Sequence, residues 1–301
     1  MSIQSSPVTL RINLAESPVT AALRDGRVRS NLVRFDFCGP QVAHQGFKPM
    51  VRDMAFDAGE LALATFLQAK QYGKPWTMLP AVMSGGHHHS SVTYNADFGT
   101  LAPTDIEGRR VGVRSYTQTT GVWVRGFLAR DYHVDLGRVT WVCNEGAHFA
   151  EYPDPLNVQR VGPDAKQTQM LLDGEIAALL AGVKSLPPHA ALRPLIPDPA
   201  AAARAWSAKH AAVPINHVFV IQSELARARP DVVRETYRML LESRNIATLT
   251  DPDAFRFGAD AISGTLDLFC GMALEQQVVN RRFSADELLA DFVALARADI
   301  G

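Results

Sequence analysis

Hydrophobic positions along this chain switch repeatedly between two periods. Short apolar runs bounded by Gly, Pro, Asn or Asp suit buried strands, and stretches with apolar residues three or four apart suit helices. Over the first part this predicts strands at 8–16, 31–37 and 76–82, a short helix opened by Ser17-Pro18 and closed near Asp25-Gly26, and a helix around 46–53. A short strand at 54–56 and a helix from 59 to about 72 are also predicted, the helix with Leu61, Leu63, Phe66 and Leu67 on its apolar face. The pattern restarts after residues 90–95, where the Glu107-Gly108 turn leads into a strand at 110–114. A helix at 119–131, a strand at 139–143, a helix near 166–173, a strand at 176–180 and an alanine-rich helix at 198–210 complete this second run. VPINHVFVI at 213–221 is a long apolar strand interrupted only by Asn216 and His217, and it carries the chain back to the first run. The remainder, 222–301, is helical by periodicity, with Pro230 at a helix start and Ser284 followed three residues on by Glu287 as a capping box.

Alternating strand and helix signals predict an α/β protein with mostly parallel sheets. The restart and the return divide the chain into a discontinuous lobe 1, residues 1–93 and 217–301, and an inserted lobe 2, residues 94–216. A length of 301 residues is enough for two such lobes. Lysines and arginines number 30 against 31 acidic residues, and the net charge of −1 gives no footprint for nucleic acid or an anionic membrane. A small molecule is the favoured partner. The N-terminal sequence has no basic segment followed by an apolar core, so a cytoplasmic protein is expected. Cys38, Cys143 and Cys270 are odd in number and widely spaced, which indicates neither a disulfide framework nor a thiolate metal site. The triplet His87-His88-His89 invites a metal, but consecutive residues of an extended segment point to alternate sides and no third ligand stands nearby in sequence. The spacing leaves a metal open but does not support one.

The densest candidate chemistry lies in VGVRSYTQTTGVWVRGFLARDY, residues 111–132, which reads as a buried strand, a hydroxyl-rich turn and a helix start. Ser115, Thr117, Thr119 and Thr120 offer hydroxyls, and the backbone N–H groups of a first helical turn favour a carboxylate or phosphate. The plainer alternative is that Thr119 or Thr120 caps the helix.

The segments FDAGELALATFLQAKQYGKPWTMLPAV, HHSSVTYN, GRRVGVRSYTQTTGVWVRGFL, LLDGEIAAL and PINHVFVI together resemble the 4,5-dihydroxyphthalate decarboxylase family, over about residues 8 to 245. That resemblance implies an α/β fold of the type 2 periplasmic-binding-protein-like kind: two lobes, two crossover strands, an interlobe cleft for the ligand and a C-terminal helical segment. It implies decarboxylation of a hydroxylated aromatic carboxylate, as in phthalate degradation, with no organic cofactor. The same architecture serves solute receptors, so the alternative is a substrate-binding protein of an ABC-type transporter or sensor that holds a small organic anion without chemistry. Glu60 matches a family Glu that opens a helix, His89 and Ser90 a His-Ser pair entering the first crossing strand, and His217 a His in the returning strand. Tyr116, Thr119, Trp123 and Arg125 match the second-lobe turn and helix. The chain departs from the family pattern at Arg114-Ser115, where Pro-Glu is frequent, and at Ala177, where an Asp is frequent.

Losing CO2 from such a ring requires donors for the carboxylates, an acid for the ring carbon and an acceptor that favours the phenolate. Arg114 could clamp a carboxylate, with Ser115, Tyr116, Thr117, Thr119, Thr120 and Ser90 around it; a surface ion pair is the simpler role for an Arg. His89 and His217 are the candidates for proton transfer, since histidine titrates near neutrality, although a lone His on an apolar strand is more often a core residue. Glu60 could accept a phenolic hydrogen bond or simply complement a helix dipole. Trp123 and Arg125 read as structural, and Asn144, Glu145 and His148 as secondary candidates on a loop after a parallel strand. Apolar Leu266, Leu268, Phe269, Met272 and Leu274 fit core packing or a homo-oligomer face, with core packing the default.

Overall fold

The computed structural model describes residues 6–297, which fall into two compact units. Unit 1 holds the described residues up to Gly86, Ile215–Gly271 and those from Val279 onward; unit 2 holds His87–Pro214 and Met272–Val278. Among the described residues no helix is long and apolar enough to cross a membrane.

Unit 1 begins with β1 (Val8–Asn13), α1 (Ala21–Arg24), β2 (Val33–Asp36), α2 (Phe47–Asp53), β3 (Ala58–Ala62), α3 (Leu63–Gln71) and β4 (Trp76–Gly85). Its five strands lie in the order β2-β1-β3-β11-β4, where β11 (Ile215–Gln222) is the long returning strand. β1 pairs in parallel with β2 and β3, and β11 runs antiparallel between β3 and β4. One face of the sheet buries Leu10, Ile12, Leu79, Ala81, Phe219 and Ile221 against Val232, Val233 and Leu240 of α8 (Pro230–Ile246). Fully burying such side chains is worth roughly 1.5–3 kcal/mol each, which is why the apolar runs settle at the sheet centre.

Two expectations fail here. Residues 54–56 form no strand, because Met54 ends α2 in the left-handed region at φ 50°. The helix expected from 59 starts only at Leu63, and 58–62 is the central strand β3, buried on both faces. A strand covered on both sides loses its alternation, so its spacing imitates a helix. Gly59 carries the close approach of β1 to β3: at φ +152° a Cβ there would stand 2.2 Å from the Asn13 carbonyl oxygen.

Unit 2 contains β5 (Thr93–Asn95), β6 (Arg110–Val113), α4 (Thr119–Tyr132), β7 (Thr140–Cys143), β8 (Val158–Arg160), α5 (Gln167–Leu172), β9 (Ala178–Leu179), β10 (Leu192–Pro194) and α6 (Pro199–His210). Its six strands run in the order β10-β5-β9-β6-β7-β8, parallel from β9 to β8, with β5 and β10 added antiparallel at one edge. Val142, Leu171, Ile176, Leu179 and Leu192 form one core cluster. Buried Gln167 ties β6 to β7 by donating from Nε2 to the carbonyls of Val113 at 3.1 Å and Val142 at 2.8 Å.

The chain after β11 is helical apart from short connections, with α7 (Ser223–Ala228), α8, α9 (Ala259–Glu275) and α10 (Ala285–Arg297). Periodicity assigned all of it to the first lobe, whereas Met272–Val278 groups with unit 2. Gln276 explains the difference, because its side chain and carbonyl bond Arg125, Val122 and Tyr116. Leu266, Phe269 and Met272 are buried within the chain, the core role anticipated as the default.

Candidate functional site

In unit 1, strand pairing brings Glu60 and His217 together. His217 lies opposite Ala62 and Phe219 opposite Glu60 in the β3–β11 ladder, so Glu60 and His217 are diagonal neighbours on one face. Glu60 Oε2 stands 2.8 Å from His217 Nδ1, and Glu60 Oε1 accepts the N–H of Ala15 at 2.6 Å. The carboxylate is 5 % exposed and the imidazole 21 %, so the acid is held inside while the ring reaches the surface of a cavity. An ionised Glu60 can only accept, which puts a proton on Nδ1 and leaves Nε2 as the nitrogen that takes or gives one. Phe47 fixes the ring from the side, edge to face at 5.0 Å.

The loop after β1 shapes the same site. Thr20 Oγ1 donates to the Ala15 carbonyl at 2.8 Å and accepts the Ser17 N–H at 2.9 Å, which folds 15–20 so that the Ala15 amide meets Glu60. Buried Asn13 donates from Nδ2 to the Ala43 carbonyl at 3.1 Å and draws the 41–44 loop over the strand ends. The result is a cavity of about 310 Å3 with Glu60, His217, Ser17, Ser84 and His44 among apolar Leu14, Val42, Met83 and Phe255. That is the size and character of a small-molecule site, for which about 300–1,000 Å3 is usual. Among the described residues neither Lys nor Arg lines it. The 41–44 loop and Ser84 escape sequence reasoning, because nothing local marks them; a strand reading of 58–62 would have revealed the Glu60–His217 pairing.

In unit 2, the turn between β6 and α4 is buried: Ser115, Tyr116, Thr117 and Thr119 are all inside and Thr120 is half-buried. The helix N-cap is Gln118, whose side chain makes no capping hydrogen bond, so neither threonine is the cap. Ser115 Oγ donates to the Gly146 carbonyl at 3.3 Å, and the Glu145 N–H donates to the Arg114 carbonyl at 2.8 Å, which joins this turn to the loop after β7. Arg114 has its Nε shielded from solvent without a hydrogen bond, 3.9 Å from Glu145 Oε2 in a loose ion pair. It faces a cavity of about 550 Å3 that also presents Lys166, Asn144, Thr168 and Ser185. The arrangement suits an anion at the carboxyl ends of parallel strands.

Three other candidates have different surroundings. His89 is 2 % exposed and stacks on Phe127 at 4.1 Å, beside Trp206, with Nδ1 unpartnered. Burial, helped by the nearby His87, lowers its pKa to about 4, so it is a neutral core imidazole at pH 7 and a poor proton donor. Tyr116 spends its hydroxyl on the Gln276 carbonyl at 3.1 Å, which makes it a packing residue. Ser90 sits on an exposed turn. Trp123 and Arg125 are fully buried, as their structural reading anticipated.

Two α/β units, both discontinuous and one carrying an antiparallel return strand, define a two-lobed periplasmic-binding-protein-like fold. The alkanesulfonate-binding protein SsuA from Xanthomonas axonopodis pv. citri, bound to MOPS, matches with a TM-score of 0.58 at 10% identity, covering 94% of this chain and 98% of that one. The desulfurization enzyme DSZB matches with a TM-score of 0.56 at 14% identity, covering 96% and 99%. By sequence, the chain is similar to the 4,5-dihydroxyphthalate decarboxylase of Comamonas testosteroni, 29% identical over 198 residues, and to that of Pseudomonas putida, 29% identical over 137 residues. These alignments take in 60% and 43% of this chain and only 58% and 53% of the relatives' lengths. No family model matches the chain.

Proposed function

We propose that this protein decarboxylates a hydroxylated aromatic carboxylate of the 4,5-dihydroxyphthalate kind. The observation that carries this reading is the Glu60–His217 hydrogen bond in the wall of a mainly apolar cavity. Glu60 holds the imidazole in one tautomer, and His217 Nε2 is the proton-transfer atom. A phenolic oxygen donates electron density into the ring, and the carbon that bears the carboxylate takes a proton from Nε2–H of the imidazolium. The C–CO2 bond then breaks, its electron pair restores aromaticity, and CO2 leaves. One proton is consumed for each CO2 released, and it returns to Nε2 from solvent. Separately, in unit 2, we assign Arg114, Ser115, Thr117, Thr119 and Thr120 as a carboxylate-holding element. The sequence similarity to two 4,5-dihydroxyphthalate decarboxylases supports the reaction class.

A second reading, an organic-anion receptor without turnover, draws support from the fold match to alkanesulfonate-binding SsuA. Titrating the protein with 4,5-dihydroxyphthalate while following heat and CO2 together separates the two. Stoichiometric CO2 release over many turnovers supports the decarboxylase; saturable heat without gas would leave the receptor.

A further inference from the structure

α4 carries a buried cation that no carboxylate among the described residues neutralises. Arg125 has no exposed surface. Its Nε donates to Gln276 Oε1 at 2.8 Å and its Nη2 to the Tyr116 carbonyl at 2.6 Å, while Nη1 has no hydrogen-bond partner. The guanidinium carbon lies 4.0 Å over the Tyr116 ring and 5.3 Å from that of Trp141. The nearby ionisable groups that favour its charge are Tyr116, Cys143 and Tyr152. Burial pushes the Cys143 thiol up to about 11, so that group is neutral as well.

Burying an ion without an opposite charge is strongly unfavourable, and ring faces and carbonyls offset only part of it. The location makes the puzzle sharper. Nη1 approaches the first turn of α4, 3.1 Å from where a Cβ on Gly121 would stand, and Nη2 holds the turn at Tyr116. A helix N-terminus is already the positive end of the peptide dipoles. Two positive features stacked beneath one hydroxyl-lined turn are mutually repulsive until an anion settles on that turn.

We infer that Arg125 is a positioning residue whose buried charge strengthens anion binding at the Ser115–Thr120 turn without touching the ligand. The inference rests on the turn's proposed role as the carboxylate-holding element. It assigns the guanidinium an electrostatic task in addition to bracing the loop through Tyr116 and Gln276. A cation acting through a low-dielectric interior over a few ångströms is worth roughly tenfold in affinity.

The test is calorimetric titration of the full chain with phthalate, a charged and unreactive ligand, and with catechol, which is uncharged at pH 7. Arg125→Gln is expected to bind phthalate about tenfold more weakly with its catechol affinity unchanged, and Arg125→Lys, which keeps the charge, to bind phthalate within threefold of the unsubstituted protein. Parallel losses for both ligands, or an unchanged phthalate affinity in Arg125→Gln, overturn the inference. Should Arg125→Gln not fold, Arg125→Lys decides: retained phthalate affinity supports the electrostatic role, and a tenfold loss despite the retained charge overturns it. Failure of the underlying reading looks different: with Arg125 kept, changing Ser115, Thr117 and Thr119 together to Ala, Val and Val would then leave the phthalate affinity unchanged.

Discussion

Glu60 and His217 are 157 positions apart, and a single hydrogen bond decides which imidazole nitrogen is available for chemistry. Glu60→Gln keeps the shape but can present an N–H to Nδ1, which stabilises the wrong tautomer. It should lower kcat by about 100-fold with KM within a few-fold, and His217→Gln should lower it by about 100- to 10,000-fold, the usual range for a proton-transfer group; steady-state CO2 release measures both. His89 makes a contrasting case. Its folded pKa of about 4 lies below the ordinary 6.5, so the unfolded chain binds more protons between those values. The stability it contributes is complete above pH 6.5 and is lost as pH falls towards 4, at most about 3 kcal/mol. Urea denaturation at pH 7 and pH 4.5 should show His89→Phe losing less stability on acidification than the unsubstituted protein; equal losses would contradict this account. Residue types were legible from sequence at both positions. What distinguished them was burial: both histidines stand in apolar surroundings, and only the fold shows that one has a carboxylate partner and a cavity while the other is stacked on Phe127.

Long elements were readable, and the short covered strand β3 was not. α4 was expected at 119–131 and spans Thr119–Tyr132, and α6 was expected at 198–210 and spans Pro199–His210. β3 was mistaken for the start of a helix because its five residues are all buried between β1 and β11. The short strands β5, β8 and β10 have two or three ladder pairs each and little apolar content to announce them. The position that fixes β3 is Gly59, which lets β1 and β3 approach and so places Glu60 beside the Ala15 amide. Gly59→Ala puts a methyl group 2.2 Å from a backbone oxygen that cannot rotate away. The strands must separate, so we expect a loss of several kcal/mol in denaturant unfolding, the scale of strain from a forced backbone shift in a packed core. Alanine at Gly73, where nothing lies within 4 Å, should cost much less despite its φ of +65°.

At the scale of the whole chain, restart and return were visible as changes of hydrophobic pattern, but the contribution of Met272–Val278 to unit 2 was not. A segment that continues a helix gives no periodic signal that its last turn belongs elsewhere; the signal is chemical and lies in Gln276. Its Oε1 accepts from Arg125, its Nε2 donates to the Val122 carbonyl at 2.9 Å, and its own carbonyl accepts the Tyr116 hydroxyl. Arg130 adds an outer ion pair to Glu275 at 2.7 Å. Residues 87–214 therefore lack, as a fragment, the groups that satisfy a buried guanidinium and a buried phenol. Leaving such groups unpaired costs about 1–3 kcal/mol each, and more for a charge, against a typical domain stability of about 5–15 kcal/mol. Expressed alone, 87–214 should lose the sharp thermal transition and near-ultraviolet dichroism of a packed domain. In the full chain, Gln276→Leu should cost about 2–4 kcal/mol while the Glu60–His217 pair in unit 1 stays intact. A fragment that melts as cooperatively as the full chain would show that Arg125 finds other partners once Gln276 is gone.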